Sequence, residues 1–321
     1  ANHSNGDPGI FGVLYDATIA NELLPVLIFI AVGAMIDFGP LFQTPSMIFF
    51  GAAAQFGIFA TMMVALLLGF SLKEAGAIGV IGAADGPTTI FVGSAFGLDK
   101  GIMGPLTVAA YSYMSLVPII QPPVIKLLTT KKERLIRMDF KQREVSRLTR
   151  IIFPIIVTVI AGIIAPESVA LIGALMFGNL IRECGVLARL SETAQTTLAN
   201  LVTILLGITI GTTMTAQDFL TKNTLLIMLL GLVAFIFDTA GGVLFAKFLN
   251  LFRKEKINPM VGAAGISAFP MSARVIQKMA KDEDPHNFIL MQSVAANVSG
   301  QLGSVVAGSM ILVLIGRIVG M

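Results

Sequence analysis

The stretch "IGAADGPTTIFVG", residues 81–93, decides the fold. It sets one acid, Asp85, beside a helix-breaking Gly86-Pro87 pair in the middle of an otherwise small and apolar run. The segment 73–98 therefore reads as two helical halves joined at a break. Each half is too short to cross a hydrocarbon core, which takes about 20 residues. A second segment, 258–281, is interrupted in the same way by Gly, Pro and polar residues.

What surrounds these breaks follows from composition. Of 321 residues, 55% are hydrophobic and 13% charged, with a mean hydropathy of +0.85. A soluble domain carries about 25% charged residues. The chain reads as an all-α polytopic membrane protein. Apolar runs predict about eight spanning helices, at 20–38, 46–70, 103–126, 148–165, 168–186, 198–216, 223–250 and 286–316. The first run follows a polar lead without a basic n-region or small-residue cleavage site, so no signal peptide is expected. One cysteine, Cys184, and two distant histidines, His3 and His286, exclude a disulfide framework and a Cys/His metal or haem site. A net charge of +3, with the basic residues in loops, speaks of membrane topology and of no nucleic-acid partner.

The chain also carries an internal repeat. "GAMIDFGPLF" (33–42) stands against "GTTMTAQDFL" (211–220), each followed by a long apolar helix and then by an interrupted segment, "GAADGPTTI" from Gly82 and "GAAGISAFP" from Gly262. Matching broken segments in two halves are the mark of a transporter-like fold with its site near the membrane midplane. The loop from Lys126 to Arg150 holds nine Lys and Arg, and "KFLNLFRKEK" (247–256) is also basic. Loops 127–150 and 251–257 are therefore expected on the cytoplasmic side. With both there, the halves become inverted-topology repeats only if segment 73–98 enters and leaves on one face. Each repeat then contains a re-entrant helical hairpin, and the two tips meet at Asp85-Gly86-Pro87 and around Gly265 to Pro270. The expected organisation is a first membrane repeat (20–128, hairpin 73–98), a basic cytoplasmic loop (129–150), connecting membrane helices (151–197) and a second repeat (198–321, hairpin 258–281).

A carboxylate at the bilayer centre costs about 2.5–3.5 kcal/mol on insertion scales and marks a functional site by default. The plain alternative is a structural Asp capping the second half-helix. Asp85, together with carbonyl oxygens freed by the break, suits a hard cation such as Na⁺, and protonation gives the same group a second state. Polar residues able to complete the site are few: Asn258, Ser267, Asn297, Ser299 and Ser304. For Ser299 a bond back into its own helix is the expected role, whereas the amide of Asn297 has no lipid partner and reads as a site residue. Arg274 could neutralise a carboxylate arriving from the cytoplasm, or it could be a snorkelling interface residue. Tyr111 and Tyr113 could relay a proton or anchor the interface. These residues alone leave a sodium-coupled carboxylate transporter and a Na⁺/H⁺ antiporter open beside an enzyme.

Four stretches, "GAADGPTTIFV", "YSYMSLVPIIQPPVIKLLTTKKERLIRM", "RECGVLARLSETAQTTLANLVTILLG" and "KINPMVGAAGISAFPMSARV", resemble the membrane-embedded beta subunit of the biotin-dependent, sodium-translocating carboxylic acid decarboxylases, from about residue 20 to the C-terminus. The family acts on oxaloacetate, methylmalonyl-CoA, glutaconyl-CoA or malonate. The resemblance implies a translocase in the cell inner membrane that decarboxylates carboxybiotin with consumption of a proton and drives Na⁺ outward. Implied partners are a carboxyltransferase alpha subunit, a biotin carrier subunit and a small membrane subunit, in an oligomeric complex. It implies catalytic roles for Asp85, Tyr111 and Arg274, carboxybiotin binding by Arg274 and Ser267, and cation binding by Asp85, Asn258, Gly262, Ser267 and Asn297. Gly262 comes from the resemblance alone. No biotinylation site occurs, since "QKMAK" (277–281) lacks the methionine before the lysine, so biotin is expected on a separate chain. Two departures are visible: family members usually begin with a further stretch of membrane helices, and Ala295-Ala296 replaces the usual Gly-Pro before Asn297.

Overall fold

A computed structural model describes residues 9–140, 144–164, 166–211 and 221–320. These form helices throughout, with no strand among the described residues. In the first half they are α1 (Gly9–Thr18), α2 (Leu23–Met35), α3 (Gly39–Gln43), α4 (Ile48–Ala54), α5 (Phe56–Leu67), α6 (Leu72–Val80), α7 (Gly86–Ala95), α8 (Lys100–Leu128) and α9 (Lys131–Arg134). There follow α10 (Arg147–Ile164), α11 (Val169–Glu183), α12 (Ala188–Thr193) and α13 (Ala199–Gly211). The last four are α14 (Lys222–Phe252), α15 (Met260–Ala263), α16 (Met271–Glu283) and α17 (Leu290–Val319).

Five stretches are long and apolar enough to cross a membrane: Pro45–Leu67, α8, Ala188–Gly211, α14 and α17. Joining α1 and α2, bent by 57°, as one span makes six. The other two predicted spans, 148–165 and 168–186, correspond to α10 and α11, of 18 and 15 residues. The repeat element at 211–220 falls, except for Gly211, outside the described residues, as do Lys141 to Arg143 of the basic loop.

Local chemistry sets the ends of these helices. Ser71 and Glu74 form a capping box that starts α6, Asp99 caps α8 and Thr221 caps α14, each filling first-turn N–H groups that have no partner within the helix. α8 runs through Pro105, Pro118, Pro122 and Pro123 without ending, which membrane helices tolerate because neighbours re-satisfy the freed backbone. Packing between helices relies on small residues that bring backbones together. A Cβ on Gly33 would stand 1.8 Å from the Leu175 carbonyl oxygen, joining α2 to α11, and Gly242 and Gly262 face each other across α14 and α15 with an equivalent approach of 2.0 Å.

The two predicted breaks are present. Between α6 and α7 the chain makes a tight turn at Ile81–Ala83 and passes through Ala84, whose φ of 53° lies in the left-handed region, at a cost of about 1–3 kcal/mol. Between α15 and α16 residues 264–270 are not helical. Contacts along the flanking helices fix where each half-helix runs. Gly79, near the end of α6, lies against Ile58, and Gly82 lies against Ala234 and Asp238 in the middle of α14. Gly86 lies against Tyr111, and Gly93 against Met103 near the start of α8. In the second half, Gly262 meets Gly242 and Gly265 meets Phe50, while Glu283 at the end of α16 returns to Arg134.

The basic segments lie on one face. Lys247 Nζ donates to the Leu128 carbonyl at 3.0 Å and pairs with Glu133 at 3.2 Å. Arg134 Nε pairs with Glu283 at 2.6 Å and Arg137 Nε with Asp284 at 2.7 Å. The loop after α8, the end of α14 and the end of α16 are thus tied together. Hydrogen bonding from the Arg137 guanidinium holds the Asp284 carboxyl below the usual aspartate range.

Two outcomes follow. Gly33→Leu should destabilise the α2–α11 contact by about 1–3 kcal/mol, the range for overpacking, read as a lower melting temperature. Because the Asp284 carboxyl titrates below its unfolded value, its stabilisation is complete above the ordinary aspartate pKa and is lost as pH falls through the lower folded value. Arg137→Ala should therefore lower the melting temperature near neutral pH, and the difference from the unmutated chain should shrink as pH falls below the ordinary aspartate range.

Candidate functional site

The break after α6 creates the site. Asp85 stands at the N-cap of α7, with Gly86 and Pro87 as the first helical residues. Pro87 suits this position because its missing N–H belongs to a turn with no internal acceptor. The Asp85 side chain accepts from the Thr88 backbone N–H at 3.4 Å through Oδ1, so the plain capping reading of this acid is part of what is observed.

Oδ2 does more. It accepts from Thr88 Oγ1 at 2.7 Å, Ser304 Oγ at 2.7 Å, Gln301 Nε2 at 3.0 Å and Ser267 Oγ at 3.1 Å. One oxygen thus gathers side chains from α7, from the second break and from α17. Ser267 and Ser304 are also 2.9 Å apart. Asp85 is only 4% exposed, and Thr88 and Ser304 are fully buried. No basic residue pairs with Asp85 among the described ion pairs.

Depth follows from the helices. Ser304 is 14 residues from Leu290 and 15 from Val319, the ends of α17. At 1.5 Å per residue that is about 21 Å from either end. The carboxylate therefore sits at the middle of a helix long enough to span a membrane.

The two breaks touch at this point. Ser267 N–H donates to the Ala83 carbonyl at 3.0 Å, so the first and second breaks are in contact. Non-helical backbone at this depth needs partners other than lipid, and amide side chains supply them. Gln121 donates to the Ala263 carbonyl at 2.9 Å, Gln55 to Gly265 at 3.4 Å and Asn297 to Ile266 at 2.7 Å.

The residues singled out from sequence fall into three groups. Ser267 and Ser304 touch Asp85 directly. Tyr111 and Asn297 lie one step away: the tyrosine ring packs on Gly86, and Asn297 holds the carbonyl preceding Ser267 while its Oδ1 is buried without a partner. Asn258, Gly262 and Arg274 lie elsewhere. Asn258 Nδ2 donates to the Arg134 and Ile136 carbonyls at 2.8 and 2.9 Å, tying the basic loop to the start of the second interrupted segment. Gly262 allows the close approach to α14. Arg274 is exposed in the first turns of α16. Ser299 departs from the expected back-bond and donates instead to the Ile48 carbonyl on a neighbouring helix at 2.7 Å. Tyr113 donates to the Met228 carbonyl, locking α8 to α14.

Sequence reasoning did not single out Thr88, Gln301 and Asp238. Thr88 lies one turn after Asp85, where an N-cap acid meets its third helical residue. Asp238 carries the same signal as Asp85, an acid in the middle of an apolar run.

Chemically, three hydroxyls and one amide surround one carboxylate oxygen, which has room for fewer hydrogen bonds than are offered. A hydroxyl can rotate to present its lone pairs, and an amide can present its oxygen. The same cage can thus hold a hard cation by oxygen ligands or donate to a carboxylate. Among the described residues no group of three or more His, Cys, Asp or Glu is present, so the donor set is one carboxylate with neutral oxygens, suited to a singly charged hard ion.

The family model for the Na⁺-transporting oxaloacetate decarboxylase beta subunit matches residues 2–315. The chain belongs to this family. It is 51% identical to the methylmalonyl-CoA decarboxylase subunit beta of Propionigenium modestum over 313 residues, 97% of this chain and 78% of that protein. It is 49% identical to the glutaconyl-CoA decarboxylase subunit beta of Acidaminococcus fermentans, over 97% of this chain and 82% of the relative. With the oxaloacetate decarboxylase beta chain 2 of Salmonella typhi the identity is 48%, over 95% and 71%. Membership favours the decarboxylase reading over a carboxylate transporter or an antiporter without decarboxylation.

Proposed function

We propose that the chain is the membrane subunit of a sodium-pumping decarboxylase, coupling loss of CO₂ from carboxybiotin to outward Na⁺ transport in the inner membrane. The observation that carries this reading is the oxygen cage on Asp85 at mid-depth, in a chain whose family is sodium-transporting. Sodium is the transported substrate. Carboxybiotin is a second substrate, delivered by a biotin carrier subunit that a carboxyltransferase alpha subunit has loaded; a small membrane subunit completes the complex.

In this reading Na⁺ is held by Asp85 with the Thr88, Ser267 and Ser304 hydroxyls, and Gln301 turns its amide oxygen inward. Asn297, with its unpartnered Oδ1, supports the Ser267 side of the cage. Asn258 and Gly262, assigned to the cation by resemblance, act through the path of the second interrupted segment. Arg274, exposed on α16, receives the anionic carboxyl group from the basic face. Decarboxylation consumes one proton, and in this reading Tyr111, whose ring packs on Gly86 beside Asp85, relays it. Each charge moved against 100 mV requires about 2.3 kcal/mol, so Asp85 must hold Na⁺ or H⁺ in alternation and be open to one side at a time.

Two inverted repeats, 20–128 and 198–321, supply such gating by rocking one unit against another. Support for re-entrant hairpins comes from the contacts of their arms. α6 and α7 both lead from the break toward the end of the bundle where α8 begins, and α15 and α16 both connect to the basic face. That face, 129–150 with 251–257, is the cytoplasmic one in this reading, and 151–197 contributes connecting helices.

The test uses the purified complex in inverted vesicles. Asp85→Ala should abolish both sodium-dependent decarboxylation and ²²Na⁺ uptake. Ser304→Ala should weaken apparent sodium affinity by about 10-fold, as one ligand of a buried charge is lost, while Ser299→Ala leaves it unchanged. Retention of coupled activity by Asp85→Ala would overturn the assignment.

A further inference from the structure

One buried acid is unused by this mechanism. Asp238 lies 16 residues from Lys222 and 14 from Phe252, in the middle of α14, and is 0% exposed. Its Oδ1 accepts the backbone N–H of Ile58 at 3.2 Å and lies against Gly57. Ile58 is the third residue of α5, and its N–H also donates to the Gln55 carbonyl at 3.2 Å, so Asp238 is a second acceptor in that first turn. The residue preceding α5, Gln55, provides no side-chain cap. Asp238 therefore adds a side-chain acceptor from α14 to the first turn of α5, where the spanning stretch Pro45–Leu67 is interrupted at Gln55.

Its second oxygen is different. Oδ2 is buried and has no hydrogen-bond partner. It faces Gly82 in the first break, where a Cβ would stand 2.8 Å from Oδ2 and 2.6 Å from the Ala234 methyl. The two acids thus flank the same break in opposite surroundings. Asp85 has four side-chain donors on one oxygen, and Asp238 Oδ2 has none.

Among the described residues packed against it, no opposite charge compensates it either. α4, α5 and α15 contain no ionisable residue. α8 carries Tyr111, on Gly86, and Tyr113, bonded to Met228, with Lys100 and Lys126 at its ends. α6 carries Lys73 and Glu74 at its start, and the break itself carries Asp85, engaged with α17. On α14 itself, Lys222 and Lys247 lie far along the helix, and Lys247 is paired with Glu133. An ionised carboxylate with one bare oxygen in this position is strongly disfavoured. A proton on Oδ2 removes the charge and leaves Oδ1 free to accept.

We propose that Asp238 is a neutral, proton-bearing clamp that caps α5 through Oδ1 and faces Gly82 through its protonated Oδ2, fixing the first break against α14 without placing a second charge beside Asp85. It is a positioning residue, and it does not exchange ions.

The complex reconstituted in lipid vesicles tests this. Asp238→Asn keeps a carbonyl oxygen for the cap and places an NH₂ group where the protonated oxygen stands. It should retain sodium-dependent turnover, apparent sodium affinity and pH profile within about threefold. Asp238→Ala loses the cap, so its melting temperature should drop and turnover fall by at least about tenfold. In the infrared spectrum, the unmutated complex should carry a protonated-carboxyl C=O band that survives saturating sodium and is missing from Asp238→Asn. The proposal is overturned if Asp238→Asn melts normally but loses more than about tenfold in turnover or sodium affinity, or if no band is lost. Should Asp238→Asn not assemble, an apolar carbodiimide, which reacts with protonated carboxyls, decides on the unmutated complex. A mass-mapped adduct on Asp238 at saturating sodium upholds the clamp; its absence overturns it. Asp85→Ala, assayed in parallel, reads out the sodium site separately, because the infrared band and the adduct do not depend on Asp85.

Discussion

A carboxylate cannot lie at the centre of a membrane helix bundle without partners, and Asp85 obtains them from three separate parts of the chain. Its Oδ2 is where Thr88 on α7, Ser267 in the second break and Gln301 and Ser304 on α17 converge. A continuous helix could not present a carboxylate together with free first-turn N–H groups at that depth. The Gly86-Pro87 break does so by starting a new helix in the middle of the bundle. The rest of the architecture can be understood as what is needed to hold that start in place.

Breaking a helix inside a membrane exposes backbone groups that lipid cannot satisfy. The remedy is to place broken segments against each other and against amide side chains. Ser267 donates its N–H to Ala83, and Gln121, Gln55 and Asn297 reach the carbonyls of Ala263, Gly265 and Ile266. On the opposite side, Asp238 caps α5 beside Gly82. Glycines allow these approaches: a side chain at Gly242, Gly262 or Gly300 would overlap the facing backbone. The cluster is polar and buried at once, which ties the positions of the two breaks together.

The basic face links this centre to the surface. Arg134 and Arg137 bind Glu283 and Asp284, and Asn258 and Asn287 both reach the carbonyls of Arg134 and Ile136. The loop after α8 is thereby fastened to both ends of the second interrupted segment. In a sodium-transporting decarboxylase subunit, this is a direct mechanical connection between the face rich in cations and the residues around Ser267.

The sequence by itself determined the class of molecule, the two interruptions, the acid at the first and the serines that meet it. Those features are legible because hydropathy, Gly-Pro breaks and rare buried polar residues are local signals, each tied to a large transfer free energy. Asp238 carried the same signal, and Thr88 lay at capping distance from Asp85, so both could have been read. Other assignments were decided only by the tertiary structure. Asn258 and Asn297 look alike in sequence, yet one binds the basic loop and the other the second break, because their partners are backbone carbonyls that no sequence pattern marks. Ser299 and Ser304, five residues apart on α17, point to Ile48 and to Asp85 respectively. A helix places residues five apart on different faces, and only packing determines which face meets the acid.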